Sequence, residues 1–415
     1  MRTYEHARTT DHLGRYYTDA TVSRLLVASL PARTPSSLLD LGAGEGALAL
    51  EASSRWKCLD LVTVDVDHHA SRVLAQQLQR RGFAGRHRHV QQDALEVDLC
   101  RRLSQEMKWR PSAAVCNPPF LVPAWRKGYC SIVEDAGFSG ALPAITSTDA
   151  ATLFLAQNLR LMEMGGTVAI IVPDSLVSAS KYQRFRETLL AKYDLQQAIR
   201  LPRGAFAGTD ALAHVFVVAK RKPANDLVRL SVLPALGAKV KSIYVDRDRA
   251  AKRLDYFFHA SQQQQQHPPS LALADIVVDL RRGSFNSAEV RASPAFVLHT
   301  TDIHQAMRGT WFDFTGGDET YRDERFKSAV IAEAGDILLS RVGRNAADKV
   351  IGVLAGSIAI SDCLYRLRVG PDHRVSVLRS LTSAAGESWL KAHAYGVAAR
   401  QISKADLLML PVEPL

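Results

Sequence analysis

Cysteine is scarce in this 415-residue chain, and its five copies (Cys58, Cys100, Cys116, Cys130 and Cys363) form no C-x-x-C pair. Such spacing supplies neither a zinc framework nor a disulfide scaffold, and it suits a reducing compartment. No apolar run approaches the ~18 residues of a membrane-crossing helix, and the N-terminus lacks an apolar signal core. The expectation is a soluble cytoplasmic protein with no membrane partner. An internal repeat is also missing, as is the full pyrophosphate fingerprint G-x-G-x-x-G, which weakens the case for a dinucleotide ligand.

What the chain has is an ordinary apolar content of 47% and a net charge of +10. The charge suggests an acidic partner such as nucleic acid, or simply a basic solvated surface. It does not choose a domain: residues 221–415 hold 26 Lys+Arg against 21 Asp+Glu, and residues 1–220 hold the same. The length suggests two domains.

From residue 37 to about 220, short apolar runs alternate with helix-like stretches. Ser37–Leu41, Leu59–Val66, His89–Gln92, Ala113–Cys116, Thr167–Val172 and Ala211–Ala219 read as strands, with helices near Gly46, Ala70–Gln79 and Asp149–Met164 between them. This rhythm predicts a doubly wound parallel α/β sheet. After Lys220-Arg221-Lys222-Pro223 short strands lie between Gly, Asp and Asn turns, and a boundary is expected within 221–250.

Leu38-Leu39-Asp40-Leu41-Gly42-Ala43-Gly44-Glu45-Gly46 is a strand entering a glycine turn and then a helix. Such a turn alone is a weak signal. The second strand adds Asp65 at its end, where a carboxylate is placed for ribose hydroxyls, with Asp67 beyond it. Asp93 closes the third strand and suits an adenine amino group. Glu45 in the turn opposes a diphosphate, so a cationic nucleoside such as S-adenosylmethionine fits better than NAD. Leu13–Asp19, with Tyr16, Tyr17 and Thr18, reads by itself as a helix cap with packed tyrosines.

Asn117-Pro118-Pro119-Phe120 follows the fourth strand and should emerge at the same sheet edge. Two carbonyls, one from the Asn117 side chain and one from the Pro118 main chain, suit the two N–H bonds of an exocyclic amine. Gripping both favours a pyramidal nitrogen with a free lone pair, and proline fixes the second acceptor in advance. Phe120 is placed to stack on a base, and no metal is called for. The loop Val122–Tyr129 mixes aromatic and basic residues, so Trp125 suits either a wedge in a duplex or a packed surface loop.

In this order the motifs resemble those of gamma-class N6-adenine DNA methyltransferases: Tyr16-Tyr17-Thr18, Asp40–Gly44, Asp65/Asp67, Asp93, then Asn117–Phe120. Leu153–Pro173 is similar to that family's helix–Gly-Gly–strand block, and Leu201–Val218 to its late Pro…Phe…strand motif. The resemblance implies that Tyr17 and Thr18 help hold S-adenosylmethionine and that Phe206 flanks a flipped adenine. His214 stands where the family often has threonine, and no role is carried over to it. The remainder resembles half of a Type I restriction–modification specificity subunit in Arg253–Tyr256, Thr301-Asp302-Ile303, Gly335–Gly343 and Gln401-Ile402-Ser403. Specificity subunits usually carry two recognition domains and long spacer helices; a single such domain without a spacer is read here, and no Asp…Glu-x-Lys nuclease signature accompanies it.

Together these features predict a Rossmann-like class I S-adenosylmethionine-dependent methyltransferase domain over residues 1–225. A smaller α+β DNA target-recognition domain is expected over 226–415. Trp125, Arg341 and Arg344 are the candidate DNA contacts, arginine being suited to guanine edges and phosphates. Double-stranded DNA is the expected partner, which would place the protein at the nucleoid, together with a second copy or a restriction–modification subunit. The alternatives are a methyltransferase acting on RNA adenine or a glutamine amide, and a non-catalytic DNA-binding specificity subunit.

Overall fold

The computed structural model describes residues 19–106, 110–206, 211–264, 271–293, 295–316, 321, 326–343, 345–396 and 399–413. Tyr17, Thr18 and Arg344 lie outside the described residues. The chain separates into two compact units, Met1–Tyr256 and Phe257–Leu415.

The first unit holds nine strands: β1 (Leu38–Leu41), β2 (Asp60–Asp65), β3 (Arg86–Gln91), β4 (Ala113–Cys116), β5 (Thr167–Pro173), β6 (Asp194–Arg200), β7 (Ala213–Ala219), β8 (Leu227–Val232) and β9 (Lys241–Asp246). Its helices are α1 (Ala20–Ser29), α2 (Ala47–Arg55), α3 (His68–Arg80), α4 (Leu99–Glu106), α5 (Gly128–Asp135), α6 (Ala150–Leu161), α7 (Asp174–Ser178), α8 (Gln183–Lys192) and α9 (Arg247–Lys252). The sheet order is β3-β2-β1-β4-β5-β7-β6-β8-β9. β5 and β7 are apolar at nearly every position and buried throughout, as strands covered on both faces must be.

Strands β3 to β5 in that order are mutually parallel. β1, β2 and β3 wind one way from the middle, and β4 and β5 the other. The winding therefore reverses between β1 and β4, the place where an open α/β sheet leaves a crevice at its carboxyl edge. The turns after β1 and β4 open side by side there. Alternate residues feed two cores: Leu38, Leu61 and Val115 face α1 to α3, whereas Leu39, Val62 and Ala114 face the side of α6 and α8.

The doubly wound parallel sheet expected from the sequence holds for β1 to β5; β7 departs from it, running antiparallel between β5 and β6, as does β9 against β8. β6 has no strand signature in the sequence, because its Gln196-Gln197 pair interrupts the apolar pattern. The expected boundary at 225 is also displaced. β8 pairs with β6 and β9 with β8, so both extend the first sheet. Beyond them, the Leu254 N–H donates to the Val177 carbonyl at 3.0 Å. Asp255, wholly buried, takes Arg200 at 2.8 Å. The Arg253–Tyr256 segment thus belongs to the first unit.

The second unit is α+β, with strands β10 (Val277–Arg282), β11 (Val297–Leu298), β12 (Trp311–Phe314), β13 (Ile331–Glu333), β14 (Ile337–Ser340), β15 (Val342–Gly343), β16 (Val350–Ile360), β17 (Leu364–Val369) and β18 (Arg400–Gln401) and helices that include Arg374–Thr382 and Ala384–His393. The main path is β10-β17-β14-β16-β11, with β12 and β13 added to β16. Ile337 and Leu339 face one core and Leu338 the other, the period of two expected of a central strand. Among the described residues no helix is long and apolar enough to cross a membrane.

Candidate active site

A cavity of about 520 Å³ opens at the carboxyl edge of the first sheet, where the winding reverses. Its walls include Asp40, Gly42, Gly44, Asp65, Asp93, Asn117 and Pro119, so residues spread over eighty positions meet in one space.

The glycine turn is shaped by its neighbours. The N–H groups of Gly42 and Ala43 both donate to the Val64 carbonyl, at 2.8 and 3.1 Å. The Gly44 N–H donates to Asp65 Oδ2 at 2.7 Å, while Asp65 Oδ1 accepts from the Asp67 N–H at 2.9 Å. Asp65 thereby locks the turn to the end of β2 and keeps lone pairs for a further donor. Gly44 has a φ of +48°, and a Cβ there would meet nothing within 4 Å, so the backbone lies bare to the cavity. Gly46, at φ +84°, starts α2; a Cβ there would come within 2.4 Å of Leu74.

Asp40 is the unusual group. It is 1% exposed, and neither carboxylate oxygen has a hydrogen-bond partner among the described residues. Burial first, and then the charge of Asp65, push its pKa up to about 8. A cation in the cavity would favour the ionised form of a carboxyl so placed. Bare backbone at Gly44, two acids at the ends of β2 and β3 and this unsatisfied acid fit a positively charged nucleoside. They do not fit a diphosphate.

Asn117 and Pro119 line the same cavity, and Pro118 between them is buried. Cys116 directly before is buried, with its Sγ donating to the Leu41 carbonyl at 3.2 Å and its thiol pKa pushed up by burial, which leaves it inert. Helix α6 forms the floor. It is buried at nearly every position, and its Ala150 and Phe154 line the cavity, with Phe154 beneath Gly42.

Other expected site residues lie elsewhere. Phe120 and Phe206 meet edge to face, ring centres 5.7 Å apart, and Phe206 is 2% exposed within the core. Neither lines the cavity. Trp125 packs against Tyr129 at 5.5 Å, also edge to face, as a packed surface loop would have it. In the second unit Arg341 serves the fold: its Nε donates to the Asp362 carbonyl at 2.8 Å and its Nη1 to Gln401 Oε1 at 3.3 Å. β15 and β18 pair there, so the Gly335–Gly343 and Gln401–Ser403 motifs form one scaffold. Trp311 covers Gly352, where a Cβ would come within 2.2 Å of its ring.

His214 joins a wholly buried group. Asp174, His214 and Asp255 bring ligand atoms within 4.8 Å of one another. Arg200 on Asp255 and the Ser178 hydroxyl donating to Asp174 at 2.7 Å make this an ion and hydrogen-bond network rather than an open cation site. Sequence reasoning missed this cluster, the α6 floor and the ion pair that Arg126 makes with Asp93 at 2.6 Å. The last had one signal, a basic residue close behind the Asn-Pro-Pro turn.

The N-6 DNA methylase family matches residues 1–273, about two thirds of the chain. The chain belongs to that family. The N-6 DNA methylase fold is also found in solved structures. The type IIG restriction endonuclease BpuSI is similar over 96% of this chain and 58% of its own, at 14% identity and a TM-score of 0.53. The modification subunit of a putative type I restriction enzyme from Vibrio vulnificus YJ016 matches 68% of the chain and 58% of its own, at 18% identity and a TM-score of 0.43. A curated relative, the defense against restriction protein B of Escherichia phage P1, is 36% identical over 80 residues, 19% of this chain and 4% of that protein. The chain thus spans 58% of each of these two structures and a small part of the phage protein.

Proposed function

We propose that the protein is a sequence-specific DNA methyltransferase that uses S-adenosylmethionine to methylate the exocyclic N6 of adenine. The observation that carries this is the meeting of Asn117 and Pro119 with Asp40, Gly44, Asp65 and Asp93 in one cavity. Membership of the N-6 DNA methylase family supports it. Gly44 and Asp65 would hold the ribose end, Asp93 the adenine amino group and Asp40 the cationic end. Bound there, S-adenosylmethionine supplies an electrophilic methyl group on a sulfonium.

The protein's own contribution is to the acceptor nitrogen. The Asn117 side-chain carbonyl and the Pro118 main-chain carbonyl accept its two N–H bonds and draw the lone pair out of conjugation. Pro118 and Pro119 hold those acceptors without reorganisation. An adenine inside a duplex is out of reach of this edge, so the base must leave the stack, at a cost of a few kcal/mol. The second unit is assigned the reading of the target site, and duplex DNA the role of substrate.

Incubation with labelled S-adenosylmethionine and assorted duplexes, followed by digestion, should yield N6-methyladenine. Long-read sequencing of DNA from an expressing cell then gives the site. Asn117→Ala should abolish product while cofactor binding persists; methylation by that variant would refute the role of Asn117. Competition by RNA rather than duplex DNA would favour an RNA substrate.

A further inference from the structure

The segment after the Asn117–Pro119 turn is fastened to the acidic loop that follows β3. Arg126 Nη1 donates to Asp93 Oδ2 at 2.6 Å and lies 3.8 Å from Glu96 Oε1. Two residues on, Gly128 packs so closely that a Cβ would come within 2.4 Å of Val97 Cγ2. The acidic loop is in turn clamped by α6. Gln157 Nε2 donates to the carbonyls of Ala94 and Glu96 at 3.0 and 2.9 Å, and Arg160 Nη1 to that of Val97 at 2.8 Å. At the other end of the segment, the Leu121 carbonyl accepts the Ala150 N–H at 2.9 Å. Floor and acidic loop are thus one body. Among the described residues, Arg126 is the ion-paired side chain that joins residues 121–127 to it.

Asp93 lines the cavity, and its Oδ1 already accepts the Leu95 N–H at 2.9 Å. A carboxylate offers about four acceptor positions. Leu95 and Arg126 occupy two and thereby fix which remain for a ligand amino group.

We propose that Arg126 is a positioning residue: through Asp93 it makes the ordering of the segment 121–127, and of Trp125 within it, depend on occupancy of the adenine pocket. This rests on the cofactor assignment made above. A donor bound to Asp93 pins the carboxylate, a pinned carboxylate is a better partner for the guanidinium, and the segment beside the catalytic turn is held. The coupling is reciprocal, so loss of Arg126 weakens cofactor binding by the factor it contributes. For an ion pair whose side chains are 58% and 31% exposed, that factor is about two- to five-fold.

The test is hydrogen exchange on the full chain with and without saturating S-adenosylmethionine, on wild type, Arg126→Met, Arg126→Gln and Arg126→Lys. Unchanged exchange in β5 and β7 establishes that a variant is folded. Wild type should gain protection at both 42–46 and 121–127. Arg126→Met and Arg126→Gln should keep the first, lose the second and bind the cofactor about two- to five-fold more weakly; Arg126→Lys should restore part of both. Protection of 121–127 in the Met and Gln variants, or its absence in a wild type that protects 42–46, overturns the proposal. A wild type protected at neither place overturns the cofactor assignment itself, and the two failures are told apart by the glycine turn.

Discussion

With Asp40 as the partner of the cofactor's cationic end, as proposed, cofactor binding is a proton-linked event. In the ligand-free protein its pKa of about 8 leaves the carboxyl mostly protonated at neutral pH, through burial and the neighbouring Asp65 charge. A cation bound in the cavity favours the carboxylate, so binding at pH 7 should release up to roughly one proton. If the ionised form alone binds, affinity follows the ionised fraction: about one half at pH 8 and about one hundredth at pH 6, or roughly 50-fold weaker binding. Calorimetric titration with S-adenosylmethionine in two buffers of different ionisation enthalpy reads both quantities. Asp40→Asn supplies the control, because whatever pH dependence it retains belongs to the ligand or to other groups. The same shift acts on stability. The folded pKa lies above the ordinary 3.8, so the folded state holds a proton that the unfolded state loses, and ligand-free stability falls as pH rises from about 4 to about 8. Asp40→Asn should remove that slope and unfold at a higher temperature than wild type at pH 8. Equal affinity at pH 6 and pH 8 with no proton release, and no stabilisation by the asparagine, would refute the assignment of Asp40 as the cation's partner.

Phe206→Ala should cost roughly 3–5 kcal/mol of stability in a denaturant titration, since the ring is buried against Phe120; a variant of wild-type stability with lost base binding would return Phe206 to the surface of the site. Arg341→Ala should destabilise the protein by about 1.5–3 kcal/mol through its lost hydrogen bonds, with the methylated sequence unchanged in long-read sequencing. A shifted sequence at unchanged stability would make Arg341 a reader of bases. Asp255→Ala leaves Arg200 buried and should cost about 3–5 kcal/mol by the same titration.

Gly42–Gly46, Asp65, Asp93 and Asn117 were legible because each sits at a strand end, where a short local pattern specifies both the turn and its place on the sheet edge. Arg126 was visible only as a basic loop residue, because its partner Asp93 lies 33 positions away and only the folded chain pairs them. The α6 floor was read as a helix, but its apolar faces do not say which of them lies beneath Gly42. The antiparallel β7 escaped for a simpler reason: a strand buried on both faces carries no mark of its direction. Phe206 and Arg341 show the converse limit. An aromatic ring and a guanidinium serve a core or a hydrogen-bonded scaffold as well as a ligand, and the residue type alone does not choose between them.

The clasp of Asp255 on Arg200 also fixes where this chain can be cut and rejoined. A junction at residue 225 would strip β8 and β9 from the first sheet and leave β6 as a raw edge, with Arg200 stranded in the core. A junction at Tyr256–Phe257 leaves the clasp whole. Under the proposed division of labour, residues 257–415 are the cassette to exchange when a new target sequence is wanted, and the catalytic half travels with its own fastening.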